Sequence, residues 1–391
     1  MKPMQLSRRL LLAAGGAALS FPALSWAQAG GAKKLVLVVL RGGLDGLAAL
    51  APIGDPDYTR VRGRLAQADA LALNGMFALH PRLPKFNALY QAGELLPVHA
   101  CATPYRERSH FDAQNVLESG AAQPFGRDSG WLNAALGTLS TSAGRERGLA
   151  LSAQAPLVLR GPNAVATWSP SALPAPASDT IARVMDLYER SDPALATALH
   201  GAIAANSLVD GADGAGARGP RAVSALARVA ATFLRQTDGP TAAVVEMSGW
   251  DTHANQGLEQ GPLARNLGAL DDGLDTLKTE LGPAWRDTLV VIITEFGRTA
   301  APNGAGGTDH GTAAAAFLAG GVVAGGRVLS DWPGLSAGAL LERRDLRPTT
   351  DLRAVLKGAL ADHLRVSSAA LGRDVFPDSA ALAPIQGLLR A

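Results

Sequence analysis

Three runs of aliphatic and β-branched residues constrain this chain more than any other feature. Leu35 to Leu40 is apolar at every position and is stopped by Gly42 and Gly43, and Thr241 to Glu246 and Thr288 to Thr294 repeat the pattern. A strand apolar at every position, rather than at every second one, has both faces buried. Between the second and third runs, Leu263, Leu267, Leu270, Leu274, Leu277 and Leu281 recur three or four residues apart. That spacing predicts an amphipathic helix crossing over between parallel strands. Pro84 to Ala92 has helical spacing, Glu94 to Val98 reads as a short additional strand, and Ala313 to Leu318 as another, ending at Gly320-Gly321. Strands separated by helices predict an α/β fold with a parallel sheet.

Composition narrows the class. Of 391 residues 47% are hydrophobic and 18% charged, enough to bury a large core and too apolar for a disordered chain. Lys+Arg at 36 against Asp+Glu at 34 leaves a formal charge of +2, so no basic stripe for nucleic acid is implied. Cys101 is the single cysteine, which excludes an internal disulfide and a thiolate metal cluster.

The amino terminus reads as an export signal. Ser7-Arg8-Arg9 precedes an apolar run to about Leu24, and Ser25-Trp26-Ala27 is a small-x-small cleavage site. The run is shorter than a bilayer span and holds Gly15, Gly16 and Pro22, so cleavage after Ala27 is expected and no stable membrane span. The adjacent arginines resemble a twin-arginine signal, with the twin-arginine translocase as partner during export and a periplasmic or secreted location. An ordinary secretory signal holding two arginines has the same outline. Residues 28–391 are expected to form a single domain, with insertions at about 120–185 and at 201–220, the latter a loop before a helix Arg221 to Arg235.

Two motifs are decoys. Gly214-Ala-Gly216-Ala-Arg218-Gly219 matches a dinucleotide fingerprint, but no strand precedes it and Pro220 follows. Gly334-Leu335-Ser336-Ala337-Gly338 matches a nucleophile elbow, but Asp331-Trp332-Pro333 is a turn where a strand is required.

In an α/β sheet ligands sit beyond the carboxyl ends of the strands, so polar residues there carry the most weight. Asp45 follows the first strand in a glycine-flanked turn, and Ser109 stands where a helix starts in Arg108-Ser109-His110. Helix capping is the structural alternative for both. Asp251 and His253, two apart in an extended segment, point the same way and can reach one cation. Glu295 ends the most hydrophobic strand, and Asp309-His310 follows a short glycine loop later. Carboxylates and neutral imidazoles from separate strand ends form a ligand set suited to a divalent metal, Zn²⁺ or Mn²⁺ ahead of Ca²⁺ or Mg²⁺. His99, directly after a strand, is a candidate outer residue, whereas His80, His200 and His363 read as structural or surface residues.

Together Arg8-Arg9, Gly42-Gly43-Leu44-Asp45-Gly46, Ser109-His110-Phe111, Gly249-Trp250-Asp251-Thr252-His253, Glu295-Phe296-Gly297-Arg298 and Asp309-His310-Gly311 resemble a family of exported bacterial proteins of unknown function. That family is similar to the alkaline phosphatase and sulfatase superfamily. The resemblance implies a three-layer sandwich with a mostly parallel central sheet. It makes Asp45 the first-strand metal ligand and Ser109 the counterpart of the nucleophile. Asp251, His253 and His310 would share a metal, Glu295 would supply a dyad carboxylate, and Asp309 would be a further ligand. Phe296 stands where the superfamily's dyad has its histidine.

The function this implies is an exported metal-dependent hydrolase of phosphate or sulfate esters, with a small-molecule ester as substrate. Ser109 or a bound water would be the nucleophile, and His110 or Arg108 would stabilise developing charge. The alternative is an exported metal-binding or assembly protein that kept the fold, bound a protein partner and lost the chemistry. A phosphomutase-like transferase is a third reading.

Overall fold

Strand β1 (Lys34–Arg41) is buried from Lys34 to Leu40 because its side chains alternate between two cores. Val36, Val38 and Leu40 enter one, and Leu35, Leu37 and Val39 the other. This computed structural model describes residues 32–139, 147–170, 177–209 and 220–390. The export signal expected at 1–27 and the fingerprint-like stretch from Gly214 lie outside the described residues.

The remaining strands follow in chain order. β2 (Leu50–Ala51), β3 (Leu71–Ala72) and β4 (Ala78–Leu79) make a small sheet in the order β2-β4-β3. β5 (Leu95–Ala102), β6 (Gly148–Ala150), β7 (Val165–Thr167), β8 (Ala242–Ser248), β9 (Thr288–Thr294), β10 (Ala314–Ala319) and β11 (Thr350–Asp351) join β1 in an eight-stranded sheet ordered β11-β5-β10-β9-β1-β8-β6-β7. Helices Pro84–Gln91, Pro220–Leu234 and Pro262–Leu281 contribute Phe86, Val229, Leu270 and their neighbours to one core. Trp131–Gly137 and Leu352–Leu364 contribute Trp131, Leu356 and Leu360 to the other. The result is three layers around a mostly parallel sheet.

What places the site is the register of β1. It pairs in parallel with β8, Arg41 opposite Ser248, and with β9, Leu40 opposite Thr294. The segments that follow all three strands therefore leave the sheet at one edge. β10 lies antiparallel to both β9 and β5, so β5 runs with β1 and its loop to residue 109 emerges at that edge too.

Four expectations are corrected. β10 is antiparallel, because no helix separates it from β9 and a parallel return needs a long crossover. The stretch 120–185 is not simply an insertion: it supplies β6 and β7 to the main sheet. Residues 201–209 are not loop but the end of the helix Pro193–Val209, whose alanine-rich sequence favours that state. His99 is not beyond a strand end but inside β5, where its Nε2–H donates to the Leu50 carbonyl (2.9 Å) and its Nδ1 accepts from the Ala100 amide (2.8 Å). Among the described residues no helix is long and apolar enough to cross a membrane.

His80 is held the same way, between the Leu258 carbonyl (2.8 Å) and the Arg82 amide (3.0 Å). Protonating either ring would set an N–H against an N–H, and burial already lowers both to about 4. A folded pKa below the ordinary 6.5 means that the unfolded chain binds the extra protons. Their contribution is complete above 6.5 and is lost as pH falls toward 4, up to about 3 kcal/mol for each ring. The melting temperature should therefore drop steeply across that window, and His99→Gln should flatten the drop relative to the parent. A parallel slope in the two proteins would remove His99 from the account.

Candidate metal centre

Five segments meet at the sheet edge that β1, β8, β9 and β5 share. Gly42 and Gly43 turn the chain directly after β1 with φ of +121° and +77°. A Cβ on Gly42 would lie 2.5 Å from the Asp251 amide nitrogen, so only glycine lets the first turn approach the segment after β8 this closely. Asp251 and His253 follow β8, Glu295 and Arg298 follow β9, and Asp309 and His310 come from the loop leading to β10. His110 begins the helix His110–Ser119.

The three imidazoles are oriented alike. His253 Nδ1–H donates to Asp309 Oδ1 (3.0 Å), His310 Nδ1–H to the Arg108 carbonyl (2.9 Å), and His110 Nδ1–H to Glu295 Oε1 (2.8 Å). Each acceptor fixes the tautomer and leaves the Nε2 lone pair facing inward. His253 Nε2 and His310 Nε2 are 2.9 Å apart, and Asp251 Oδ1 is 3.1 Å from the first and 3.2 Å from the second. Three lone-pair atoms at such distances repel unless a positive charge lies among them. His110 Nε2 is buried without a hydrogen-bond partner, 3.5 Å from Asp251 Oδ2. Ligand atoms of His110, Asp251 and His310 all lie within 4.8 Å of one another. Imidazole nitrogens and a carboxylate oxygen, each imidazole backed by an acceptor, form a donor set that fits Zn²⁺ or Mn²⁺.

The charges around this set are distributed unevenly. Arg298, fully buried, donates to Asp251 Oδ1 (2.7 Å), to the Gly42 carbonyl (3.3 Å) and to the Thr308 carbonyl. Partial burial would raise Asp251, but that guanidinium holds it below the ordinary carboxylate range. Hydrogen bonds from Asn303 and His253 lower Asp309. Desolvation lowers His310, while the bond to Glu295 raises His110. Phe296 forms the apolar wall, its ring centroid 4.8 Å from that of His110 and 5.0 Å from that of His310.

The structure therefore brings together Asp251, His253, His310 and His110, and sets five other expected site residues differently. Asp45 is buried in an ion pair with Arg62 (2.6 Å), accepts from Gln256 Nε2 (2.6 Å) and caps the short helix Gly46–Ala49 through the Ala48 amide (3.1 Å). With its oxygens taken by protein donors, it is a structural anion rather than a metal ligand. Glu295 is likewise saturated by His110, the Gly42 amide (2.8 Å), Gln114 (3.1 Å) and Thr294 (3.0 Å). Burial would raise its pKa, yet these donors keep it low. Asp309 reaches the centre through His253. The Arg108 guanidinium turns to Glu342 (2.6 Å) and Asp345 (2.8 Å), and what Arg108 contributes is its carbonyl, held by a left-handed φ of +62°. Ser109 precedes His110 without capping its helix through its side chain, and its backbone amide donates to the Tyr105 hydroxyl (3.4 Å).

Sequence reasoning passed over Arg298, Gln256 and Asn303 as site residues. Gln256 accepts from both Thr252 and Thr308 (2.8 and 2.7 Å) while donating to Asp45, and Asn303 donates to Asp309 and to the His253 carbonyl (both 2.9 Å). Arg298 stood within a quoted motif, next to a strand end, which was the available signal. Gln256 and Asn303 carried none.

Fold and site thus define an α/β protein with histidine and aspartate side chains assembled at the carboxyl edge of its sheet. A family profile described as "Protein of unknown function (DUF1501)" matches residues 32–376, and the chain belongs to that family. No curated protein matches it. Among solved structures it is similar to the C-terminal periplasmic domain of EcEptC from Escherichia coli in complex with Zn, at 10% identity and TM-score 0.37, over 74% of this chain and 73% of that one. It is also similar to the lipoteichoic acid synthase LtaP from Listeria monocytogenes, at 10% identity and TM-score 0.40, covering 90% and 76%. A third is a 2-O GAG sulfatase, at 11% identity and TM-score 0.43, covering 91% and 76%.

If Asp309 orients His253 rather than binding the cation, Asp309→Ala should weaken Zn²⁺ by roughly 10–100-fold and leave the stoichiometry unchanged. Isothermal titration decides this: a lost equivalent of metal would make Asp309 a ligand.

Proposed function

We propose that this protein is an exported hydrolase of phosphate or sulfate monoesters that works with one divalent cation, Zn²⁺ or Mn²⁺. The observation that carries the proposal is the convergence of the His110, His253 and His310 Nε2 lone pairs on the Asp251 carboxylate, every imidazole backed by its own acceptor. His253, His310, Asp251 and His110 would hold the cation. When bound, it would supply Lewis acidity for an ester oxygen and lower the pKa of a nearby hydroxyl or water. The likeness of this protein's family to the alkaline phosphatase and sulfatase superfamily supports ester hydrolysis as the reaction. Ser7-Arg8-Arg9 supports export by the twin-arginine translocase, to the periplasm or beyond.

The chain's own residues prepare such a reaction. Arg298 fixes the Asp251 carboxylate, so the ligand that carries the charge does not swing away. Glu295, Gln114 and Arg41 form a relay behind His110: Gln114 donates to Glu295 (3.1 Å) and accepts from Arg41 (3.0 Å). Ser109 stands in the chain between Arg108, whose carbonyl holds His310, and His110, and this position supports its hydroxyl as the nucleophile. The helix that begins at His110 presents its positive end there, which favours an anionic group.

A second reading, a metal-binding or assembly protein without catalysis, is favoured by Asp45 and Glu295. Both are saturated by protein donors, which removes two of the carboxylates expected to serve a cation.

Mass spectrometry under native conditions should count one metal per chain, and p-nitrophenyl phosphate or sulfate should be turned over with Zn²⁺ or Mn²⁺. His253→Ala should lower that rate by on the order of 100-fold or more. One bound metal with no turnover would select the second reading, and equal rates in parent and variant would end the first.

A further inference from the structure

The two ion pairs Arg62–Asp45 and Arg298–Asp251 are joined by a run of polar side chains whose direction is set at one end. An aspartate paired with arginine only accepts, so the Gln256 amide must turn its NH2 group to Asp45 (2.6 Å) and its oxygen the other way. That oxygen takes the protons of the Thr252 and Thr308 hydroxyls (2.8 and 2.7 Å). With its proton committed, the Thr308 hydroxyl presents a lone pair to Arg298 Nε–H (3.3 Å). Arg298 Nη1 donates in turn to Asp251 Oδ1 (2.7 Å), and Nη2 to the Thr308 carbonyl. Every bond from Arg298 back to Asp45 therefore runs one way, and flipping the amide would set its oxygen against the carboxylate. Asp45, Gln256, Thr308 and Arg298 are each at most 2% exposed, so a member removed leaves its neighbour unpaired away from bulk solvent.

The backbone builds this run. The Asn255 and Gln256 amides donate to the Ala305 and Gly306 carbonyls (both 3.0 Å), and the Thr308 amide to the Thr252 carbonyl (3.1 Å). The segment after β8 and the loop before β10 are thus stitched together on both sides of the glutamine. A Cβ at Gly307 would lie 2.2 Å from the Thr252 carbonyl oxygen, so the approach requires glycine there.

Resting on the reading that Asp251 holds a cation, we infer that Gln256 and Thr308 are positioning residues for that ligand, acting through Arg298 and anchored by Asp45. Asp251 Oδ1 lies 3.1 Å from His253 Nε2 and 3.2 Å from His310 Nε2, and it is the same oxygen that Arg298 grips. The guanidinium plane therefore fixes where this oxygen stands. That plane is held at Nε by the Thr308 hydroxyl, and without this bond it keeps only backbone acceptors, the Thr308 and Gly42 carbonyls, about which it can pivot. Asp45 serves the centre in this way from a distance, with its own oxygens committed to protein donors.

The test measures Zn²⁺ affinity and stoichiometry of the full chain by competition with a chromogenic chelator, alongside the melting temperature without metal. Thr308→Val keeps the shape and removes the hydroxyl; it should weaken Zn²⁺ roughly ten-fold at unchanged stoichiometry, and Thr308→Ser should bind like the parent. Thr252→Val removes the other hydroxyl on Gln256 and leaves the Arg298 branch whole, so it should cost comparable stability and leave the affinity where it was. Gln256→Met should weaken Zn²⁺ as Thr308→Val does, and the double variant should lose no more than the weaker single, because both cut one run. Should Gln256→Met fail to fold, the threonine variants decide alone. Parent-like affinity in Thr308→Val, an equal loss in Thr252→Val, no rescue by Thr308→Ser, or additive losses in the double variant would each overturn the inference and leave the metal reading standing. A parent that binds no Zn²⁺ would overturn the metal reading, and the inference with it.

Discussion

The parallel pairing of β1 with β8 on one side and β9 on the other is the constraint on which everything else depends. It exists because β1 is apolar at consecutive positions and can be buried only as an inner strand with a core on each face. Once that register is set, the segments after Arg41, Ser248 and Thr294 leave the sheet side by side. Gly42 then packs against the Asp251 backbone at a distance no side chain would permit. The candidate ligands on these segments are thus brought together by backbone packing as well as by their polar contacts.

The polar contacts do a second job. Every inward nitrogen is paired with an outward one whose acceptor is fixed elsewhere in the fold: a carboxylate for His253, a carbonyl for His310, a buried carboxylate for His110. The buried charges are handled by separation. Arg298 balances Asp251, and Arg62 balances Asp45 within a neighbouring network that includes Gln256. Removing one member of a buried pair such as Asp45–Arg62 typically costs about 3–5 kcal/mol, whereas a metal ligand needs an oxygen that is not already committed. Asp45 is therefore worth more to the fold than it could be to a cation.

Much of this was legible in the sequence for a physical reason: long-range order here is carried by patterns that recur locally. Continuous apolar runs identified β1, β8 and β9, and the leucine spacing identified the helix Pro262–Leu281. The rule that chemistry follows strand ends then led to Asp251, His253 and His310. It failed where the partner decides the role. Nothing near Asp45 indicates that Arg62, from a different helix, will neutralise it, and nothing near Arg108 indicates that its carbonyl rather than its guanidinium will serve the site. Strands β6 and β7, the last two at one side of the sheet, escaped notice because three residues each carry no apolar run long enough to read.

The position of β1 has a consequence for how the molecule is made. Its two neighbours, β8 and β9, lie in the second half of the polypeptide, so during synthesis a sticky, fully apolar segment must wait while most of the chain is still unwritten. Such a chain is exposed to premature association in its nascent state until β8 and β9 have been made.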